Sequence, residues 1–297
     1  MSDYYLHVDI VVPEAAAADY ESKLKHFLSG PDGFRPFLRF SAKANYELKF
    51  ALKSSTFPYS GYGRFRPADD VASPNAPNSF RDDRIKPGGN AIRYVHLWDV
   101  PDIGDLDLAT FMQKVADDPE YMAINSLIVR EIQTFVRRVR IQSQPEPPSA
   151  PNLVRLVRRF PSQNIGPYIF KSGMLTPLLT KAGWQFLGQY QNVTGVLNVI
   201  TEFWATTTAT DQKTMLATFE ELPKNLVGFS KLVTESLQLS EGEVRESFQL
   251  APYSPGAAEL GADDDAGNAP PSLTEKTGTR LKAAGSDTDI AVDRGAA

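Results

Sequence analysis

The chain has 297 residues, 42% hydrophobic and 23% charged, a balance that suits one or two globular domains with a sizeable core. Its formal charge of −5 gives no bulk field favouring nucleic acid or an anionic membrane, and the lack of any cysteine excludes disulfides, thiolate metal sites and a cysteine nucleophile. The start, MSDYYLHVDIVVPE, has no basic stretch leading into a sustained apolar run, and nowhere do about 18 apolar residues follow one another, so a soluble, cytoplasmic protein is expected.

In chain order, YYLHVDIVV alternates apolar with polar and stops at Pro13, which predicts a strand. EAAAADYESKLKHFL (14–28) is helical in composition and spacing, and YELKFALK (46–53) alternates again. After a long connection come a strand over Asn90–Trp98, a helix over Leu108–Leu127 and a strand REIQTFVRRVRI (130–141). QSQPEPPSAPN (142–152) reads as a proline-rich, semi-rigid linker. The second half repeats the order: strand NLVRLVRRF (152–160), helix YIFKSGMLTPLLTKAG (168–183), strands WQFLGQYQ (184–191) and VLNVITEFW (196–204), a helix over Asp211–Leu239, and strand EVRESFQLAPY (243–253). Residues 254–297 lack aromatics and predict a disordered tail.

Short identities support a duplication. GNAIRYVHLW (89–98) matches GVLNVITEFW (195–204), Leu-Ala-Thr-Phe occurs at 108–111 and 216–219, and Val-Arg-Glu occurs at 129–131 and 244–246. The expected fold class is therefore α+β: two tandem ferredoxin-like βαββαβ repeats, 1–141 (with a 53–89 insertion) and 153–253, closing bare face to bare face into an α+β barrel. Carried by these repeats, the chain resembles the dimeric α+β-barrel superfamily in its one-chain, two-repeat version. NAIRYVHLWDVPD followed by VADDPEYMAI resembles, more narrowly, NIPSNAP-like proteins.

Strand alternation assigns side chains to faces. On the first strand Leu6, Val8, Ile10 and Val12 would lie under the helices, turning Tyr5, His7 and Asp9 inward. On strand 90–98 the same test puts Val95 and Leu97 under the helices and Tyr94, His96 and Trp98 inside. In the second repeat Val154, Leu156, Phe160, Leu197, Val199 and Phe203 would be covered, leaving Arg155, Arg159, Asn198, Glu202 and Trp204 inside. With the first and third strands taken as parallel neighbours, His7 and His96 would share one height and one face, with Asp9 a pleat away.

Three readings of this interior stay open. In one, His96, or alternatively His7, is a general base oriented by Asp9 or Glu202, with Arg155 holding a developing anion and Tyr94 donating a hydrogen bond. In the second, the polar groups form a hydrogen-bonded plug. In the third, two histidines and a carboxylate hold non-haem iron. Haem is a further alternative suggested by barrel relatives, through His7, His26 or His96; the axial histidine of those families belongs to the second repeat, which here has none. Asn198, Trp98 and Trp204 complete the expected substrate-binding lining. The 53–89 connection, with Tyr62 and Arg64 among aromatic and arginine residues in FPYSGYGRFRP, suits a lid over an aromatic or anionic ligand, or an aromatic-anchored seal.

The leading expectation is a small-molecule enzyme working without metal or organic cofactor. The resemblance implies oxygenation, isomerisation, cyclisation or lyase chemistry on hydrophobic, often aromatic or polyketide-like compounds of secondary metabolism. The expected partner is thus a small ligand, not nucleic acid or membrane, with self-association left open. The rival is a non-catalytic binding or scaffold protein.

Overall fold

The computed structural model describes residues 4–58, 89–100, 106–139, 148, 150–206 and 229–260. Its first repeat is built from β1 (Tyr4–Pro13), α1 (Ala17–Leu28), β2 (Glu47–Lys53), the two-residue β3 (Phe57–Pro58), β4 (Asn90–Asp99), α2 (Leu108–Asp117), α3 (Pro119–Asn125) and β5 (Arg130–Arg138). The second contains β6 (Asn152–Arg159), α4 (Ile165–Lys181), β7 (Trp184–Asn192), β8 (Val199–Thr206), α5 (Phe229–Leu239) and β9 (Gly242–Leu250). Pro13 ends β1 because its ring fixes the backbone and removes a donor, and Pro161 follows β6 in the same way. The helix expected over 108–127 divides at Asp118-Pro119. Proline cannot donate within the helix, and Asp118 instead caps a new one, accepting from the Tyr121 amide at 2.7 Å.

All ladders are antiparallel, and the order β1-β5-β7-β8-β6-β9-β2-β4 returns to β1, closing an eight-stranded barrel with β3 appended to β4. Within repeats the ladders are long: nine residue pairs join β1 to β4 and eight join β6 to β9. The seams between repeats are short, three pairs for β5–β7 and two for β2–β9. The first and third strands, β1 and β4, are therefore neighbours as expected but antiparallel, correcting the parallel assignment: each repeat has two split βαβ crossovers, in the first β1 to β2 across β4 and β4 to β5 across β1, and β4 runs antiparallel to β2 and so to β1.

Register places the two repeats in correspondence. Trp98 pairs with Leu6, seven residues before Pro13, and Trp204 pairs with Val154, seven before Pro161. His96 and Glu202 likewise occupy matching positions, opposite Val8 and Leu156. The Val-Arg-Glu identity does not obey this register. Glu131 pairs with Ile10 and its counterpart is Glu243, opposite Arg158, whereas Glu246 stands opposite Arg155. The second Leu-Ala-Thr-Phe lies outside the described residues.

Outside the barrel wall, Tyr20, Leu24, Phe27 and Leu28 of α1 pack on Val8, Ile10, Val12, Tyr94 and Trp98. Over the second repeat, Leu179 and its α4 neighbours pack on Val154, Leu156, Trp184 and Trp204. The lumen holds a separate cluster that includes Tyr5, Phe50, Leu52, Val95, Leu97, Phe203, Phe248 and Leu250. Both faces of the wall are thus buried. Each large apolar side chain so covered contributes about 1.5–3 kcal/mol relative to exposure.

Two expected boundaries shift. Residues 254–260 are folded: Ser254 Oγ accepts from the Ala51 amide at 2.9 Å and Ala257 is buried, so the segment after β9 straps back onto β2. Ordered backbone also begins before the end of the expected linker, with Ala150 buried and Asn152 already in β6. The 59–88 part of the insertion, with Tyr62 and Arg64, most of the linker and the 261–297 tail lie outside the described residues. Among the described residues no helix is long and apolar enough to cross a membrane.

Candidate functional site

A ring of charge occupies the lumen. β1 directs His7 and Asp9 inward, β4 directs Arg93, β6 Arg155 and β9 Glu246; the ladder pair Arg155–Glu246 shares this inner face. Arg93 Nε donates to Asp9 Oδ1 at 2.7 Å, and its Nη1 donates to Glu246 Oε1. Arg155 Nε donates to Glu246 Oε2 at 2.7 Å, while its Nη1 reaches Asp9 Oδ1 and Oδ2 at 3.1 and 3.2 Å. The circuit of two cations and two anions closes with no net charge, and two of its four links, Arg93–Glu246 and Arg155–Asp9, cross between repeats. The Arg155 guanidinium also lies 5.5 Å from the Phe248 ring.

His7 completes the ring. Its Nε2 is 3.2 Å from Arg155 Nη1 and 3.8 Å from Asp9 Oδ2, and its ring meets Phe203 edge-on at 6.0 Å. A guanidinium can only donate, so Nε2 accepts and the imidazole is neutral, with its proton on Nδ1. Burial lowers the His7 pKa to about 4, and Arg155 and Arg93 act in the same direction against the opposing pull of Asp9. Burial alone would raise the Asp9 carboxyl, but Arg155 and then Arg93 hold it well below the usual carboxylate range. Glu246 is lowered by the same two arginines against its own burial. The acceptors keep more contact with solvent than the cations: Asp9 is 9% and His7 8% exposed, against 3% for Arg93 and 2% for Arg155.

The structure thus brings together His7, Asp9 and Arg155 of the residues singled out in the sequence. It does not bring His96, Tyr94, Trp98, Glu202 or Trp204 into the lumen. On β4 and β8 the faces are the reverse of those expected: Val95, Leu97 and Phe203 point inward, and the aromatic and polar set points under the helices. His96 Nε2 is 2.8 Å from the Tyr253 hydroxyl, and burial lowers its pKa to about 3. Tyr94 donates to Glu21 on α1 at 2.6 Å. Glu202 lies beneath α4, accepting from Tyr168 (2.6 Å), Ser172 (3.1 Å) and Gln189 (2.7 Å), with Arg158 and Trp204 on its other oxygen. Asn198 sits before β8 and donates to Ser162 Oγ at 3.1 Å, Leu197 is exposed, and Arg159 pairs with Glu241 at the exposed rim.

These placements bear on the metal alternative. His7 and His96 project from opposite faces of one wall and cannot bind the same ion, and the His7 Nε2 lone pair faces a guanidinium that repels a cation. The two-histidine, one-carboxylate site is therefore not formed. His26, a third candidate axial ligand, is on the exposed side of α1, 3.8 Å from Glu120.

Arg93 and Glu246 were not anticipated. Arg93 carries a readable signal, a lone charge embedded in a strongly apolar strand, as Asp9 is, and such a cation and anion call for mutual pairing; Glu246 carries none, because Glu243 and Arg245 share its polar strand.

No family model matches the chain, and no curated protein matches it. Solved structures do. An anthrone oxidase-like protein is 6% identical, covering 84% of this chain and 92% of its own, with a TM-score of 0.43. A variant of the chlorite dismutase of Candidatus Nitrospira defluvii is 10% identical over 88% of this chain and 95% of its own, at 0.39. An uncharacterized NIPSNAP domain protein from Burkholderia xenovorans is 13% identical over 32% of this chain and 90% of its own, at 0.28. The closed strand order described above establishes the α+β barrel from this chain itself.

Proposed function

We propose that the chain is a small-molecule-processing enzyme whose hydrophobic, aromatic-sized ligand occupies the lumen, and that His7, Asp9 and Arg155 carry a proton transfer without an organic cofactor or metal. The observation that supports this reading is the single Arg155 Nη1 group shared between His7 Nε2 and Asp9. At rest it occupies the imidazole lone pair. A ligand oxygen that gains negative charge competes for that N–H, and on taking it frees Nε2 to accept the ligand's proton, with Asp9 beside the imidazolium. Neutral His7 is in the base form throughout the physiological range, since its pKa is lowered. The apolar lumen walls, Leu52, Val95, Leu97, Phe203 and Phe248 among them, suit an aromatic or aliphatic body. Oxygenation, isomerisation, cyclisation and lyase chemistry can each begin with such a step.

The test is a ligand-observed NMR screen of aromatic and polyketide-like compounds, followed by turnover assays of the binders with wild type and His7→Phe. Phenylalanine keeps the ring's charge balance and approximate volume. Turnover falling at least 100-fold with binding within threefold supports the proposal; unchanged turnover, or no binder at all, overturns it.

A second reading, a non-catalytic barrel with a structural plug, is favoured by the complete charge compensation of the ring. It predicts that His7→Phe changes stability alone.

A further inference from the structure

One step along β1 from the ring, towards Tyr4, the lumen carries a second polar rung. Tyr5 pairs with Asp99 on β4 and with Val136 on β5, so these side chains share the inner face. The Tyr5 ring meets Tyr190 of β7 edge-on at 5.2 Å, and Tyr190 in turn meets Phe203 at 6.0 Å. Tyr190 and Arg138 are ladder partners across the β5–β7 seam.

Two polar atoms of this rung have no hydrogen-bond partner among the described residues: the Tyr190 hydroxyl, on a side chain 1% exposed, and Oδ1 of Asp99. Buried polar atoms are nearly always paired, so each asks for an explanation. The other Asp99 oxygen is already engaged, 3.7 Å from Lys49 Nζ, which also binds Glu47 at 2.9 Å. Burial raises both the Tyr190 phenol and the Asp99 carboxyl, and Asp99 lies close enough to raise Tyr190 further. Tyr190 is accordingly a fixed donor at neutral pH.

Its orientation is built in. The Tyr190 ring folds over Gly188, and a Cβ at that position would come within 2.5 Å of the hydroxyl oxygen. Glycine leaves room for the ring there, which lets the hydroxyl lie against the wall at Gly188.

We propose that Tyr190 and Asp99 form a subsite for the hydroxyl of a phenol or aromatic alcohol, which accepts from Tyr190 and donates to Asp99 Oδ1. A group that accepts and donates at once is a neutral hydroxyl; a carboxylate lacks the donor and an ammonium lacks the acceptor. The aromatic edges of Tyr5 and Phe203 favour a ring behind it. This names the ligand chemistry of the lumen and rests on the reading above that a ligand enters it.

The probes are p-cresol and toluene, which differ by the hydroxyl, titrated by ligand-observed NMR against wild type, Tyr190→Phe and His7→Phe. The expected result is that wild type prefers p-cresol, and that Tyr190→Phe weakens p-cresol at least tenfold, leaves toluene unchanged and melts no lower, since it deletes an unpaired hydroxyl. Asp99→Asn should weaken p-cresol to a similar extent. Equal p-cresol affinity in wild type and Tyr190→Phe overturns the subsite. So does a liganded crystal structure with only an ordered water between the two groups. If His7→Phe weakens p-cresol and Tyr190→Phe does not, the subsite falls and the lumen reading stands. If neither probe binds but another aromatic from the screen does, the subsite falls alone; if no aromatic binds, both fall.

Discussion

His96 pairs across the β1–β4 ladder with Val8, the residue between His7 and Asp9, and this one-residue offset puts the imidazoles of His7 and His96 on opposite faces of the same wall. They consequently play different parts. His7 belongs to the lumen and its chemistry; His96 belongs to the outer core, where it meets Tyr253 from the strap after β9.

Replacing His96 by Ala should leave turnover of any lumen ligand within about twofold while lowering stability by about 1–3 kcal/mol, the cost of a buried polar partner left without its hydrogen bond. Chemical denaturation alongside a turnover assay measures both. A large loss of activity in a variant still folded at the assay temperature would return His96 to the site.

Stability should decline on acidification through the two buried histidines. The folded pKa values of His7 and His96, about 4 and about 3, lie below the ordinary 6.5, so the unfolded chain binds more protons between these limits. The stabilisation is complete above about pH 6.5 and is lost as pH falls towards 4 and 3, by about 3 kcal/mol for His7 and somewhat more for His96. Below pH 4 the lowered carboxyl of Asp9 adds to the loss in the same direction. Urea unfolding at pH 7, 5.5 and 4 should show this slope, reduced in His7→Phe; a flat profile contradicts it.

Asp9→Ala should cost about 3–5 kcal/mol, because it leaves Arg155 and Arg93 sharing one carboxylate in a buried site. The paired change Asp9→Leu with Arg155→Met removes one charge of each sign and leaves Arg93 on Glu246. It should cost less than the single change, a non-additivity that a double-mutant cycle reads directly.

Gly188→Ala should destabilise by about 1–3 kcal/mol, since its methyl group would meet the Tyr190 hydroxyl at 2.5 Å and the ring carbons at 2.6 and 2.7 Å. Tyr190→Val opens the space but leaves the backbone at φ 157°, which an L side chain rarely adopts, so in that background the same change should cost less but still destabilise. Equal costs in both backgrounds would show that backbone conformation, not the ring, is responsible.

Much of the fold could be read from the chain because its signals are local. Pro13 and Pro161 end equivalent strands, Trp98 and Trp204 mark equivalent rungs, and the strand and helix order of both repeats follows from spacing. Face assignment succeeded on β1 and β6, whose helix-covered rows, Val8, Ile10 and Val12, or Val154 and Leu156, are uniformly aliphatic beside charged inward residues. It failed on β4, where every residue from Ala91 to Trp98 is buried. When helices cover one face and a closed lumen the other, neither meets water, and polarity stops distinguishing them. Tyr94, Trp98 and His96 went outward because α1 and the strap supply Glu21, Tyr20 and Tyr253 as partners there.

The sequence by itself determined the elements, their duplication and the presence of lone charges in apolar strands, since periodicity and proline act over a few residues. Only the tertiary structure decided which charges meet. The Arg155 contacts with Asp9 and His7 join residues 146 and 148 positions apart, across a lumen that exists only once two short seams close the barrel. Each charge finds one partner within its own repeat, Asp9 with Arg93 and Arg155 with Glu246, but its second partner comes only from the other repeat, so the complete ring is a property of closure, not of the strands that carry it.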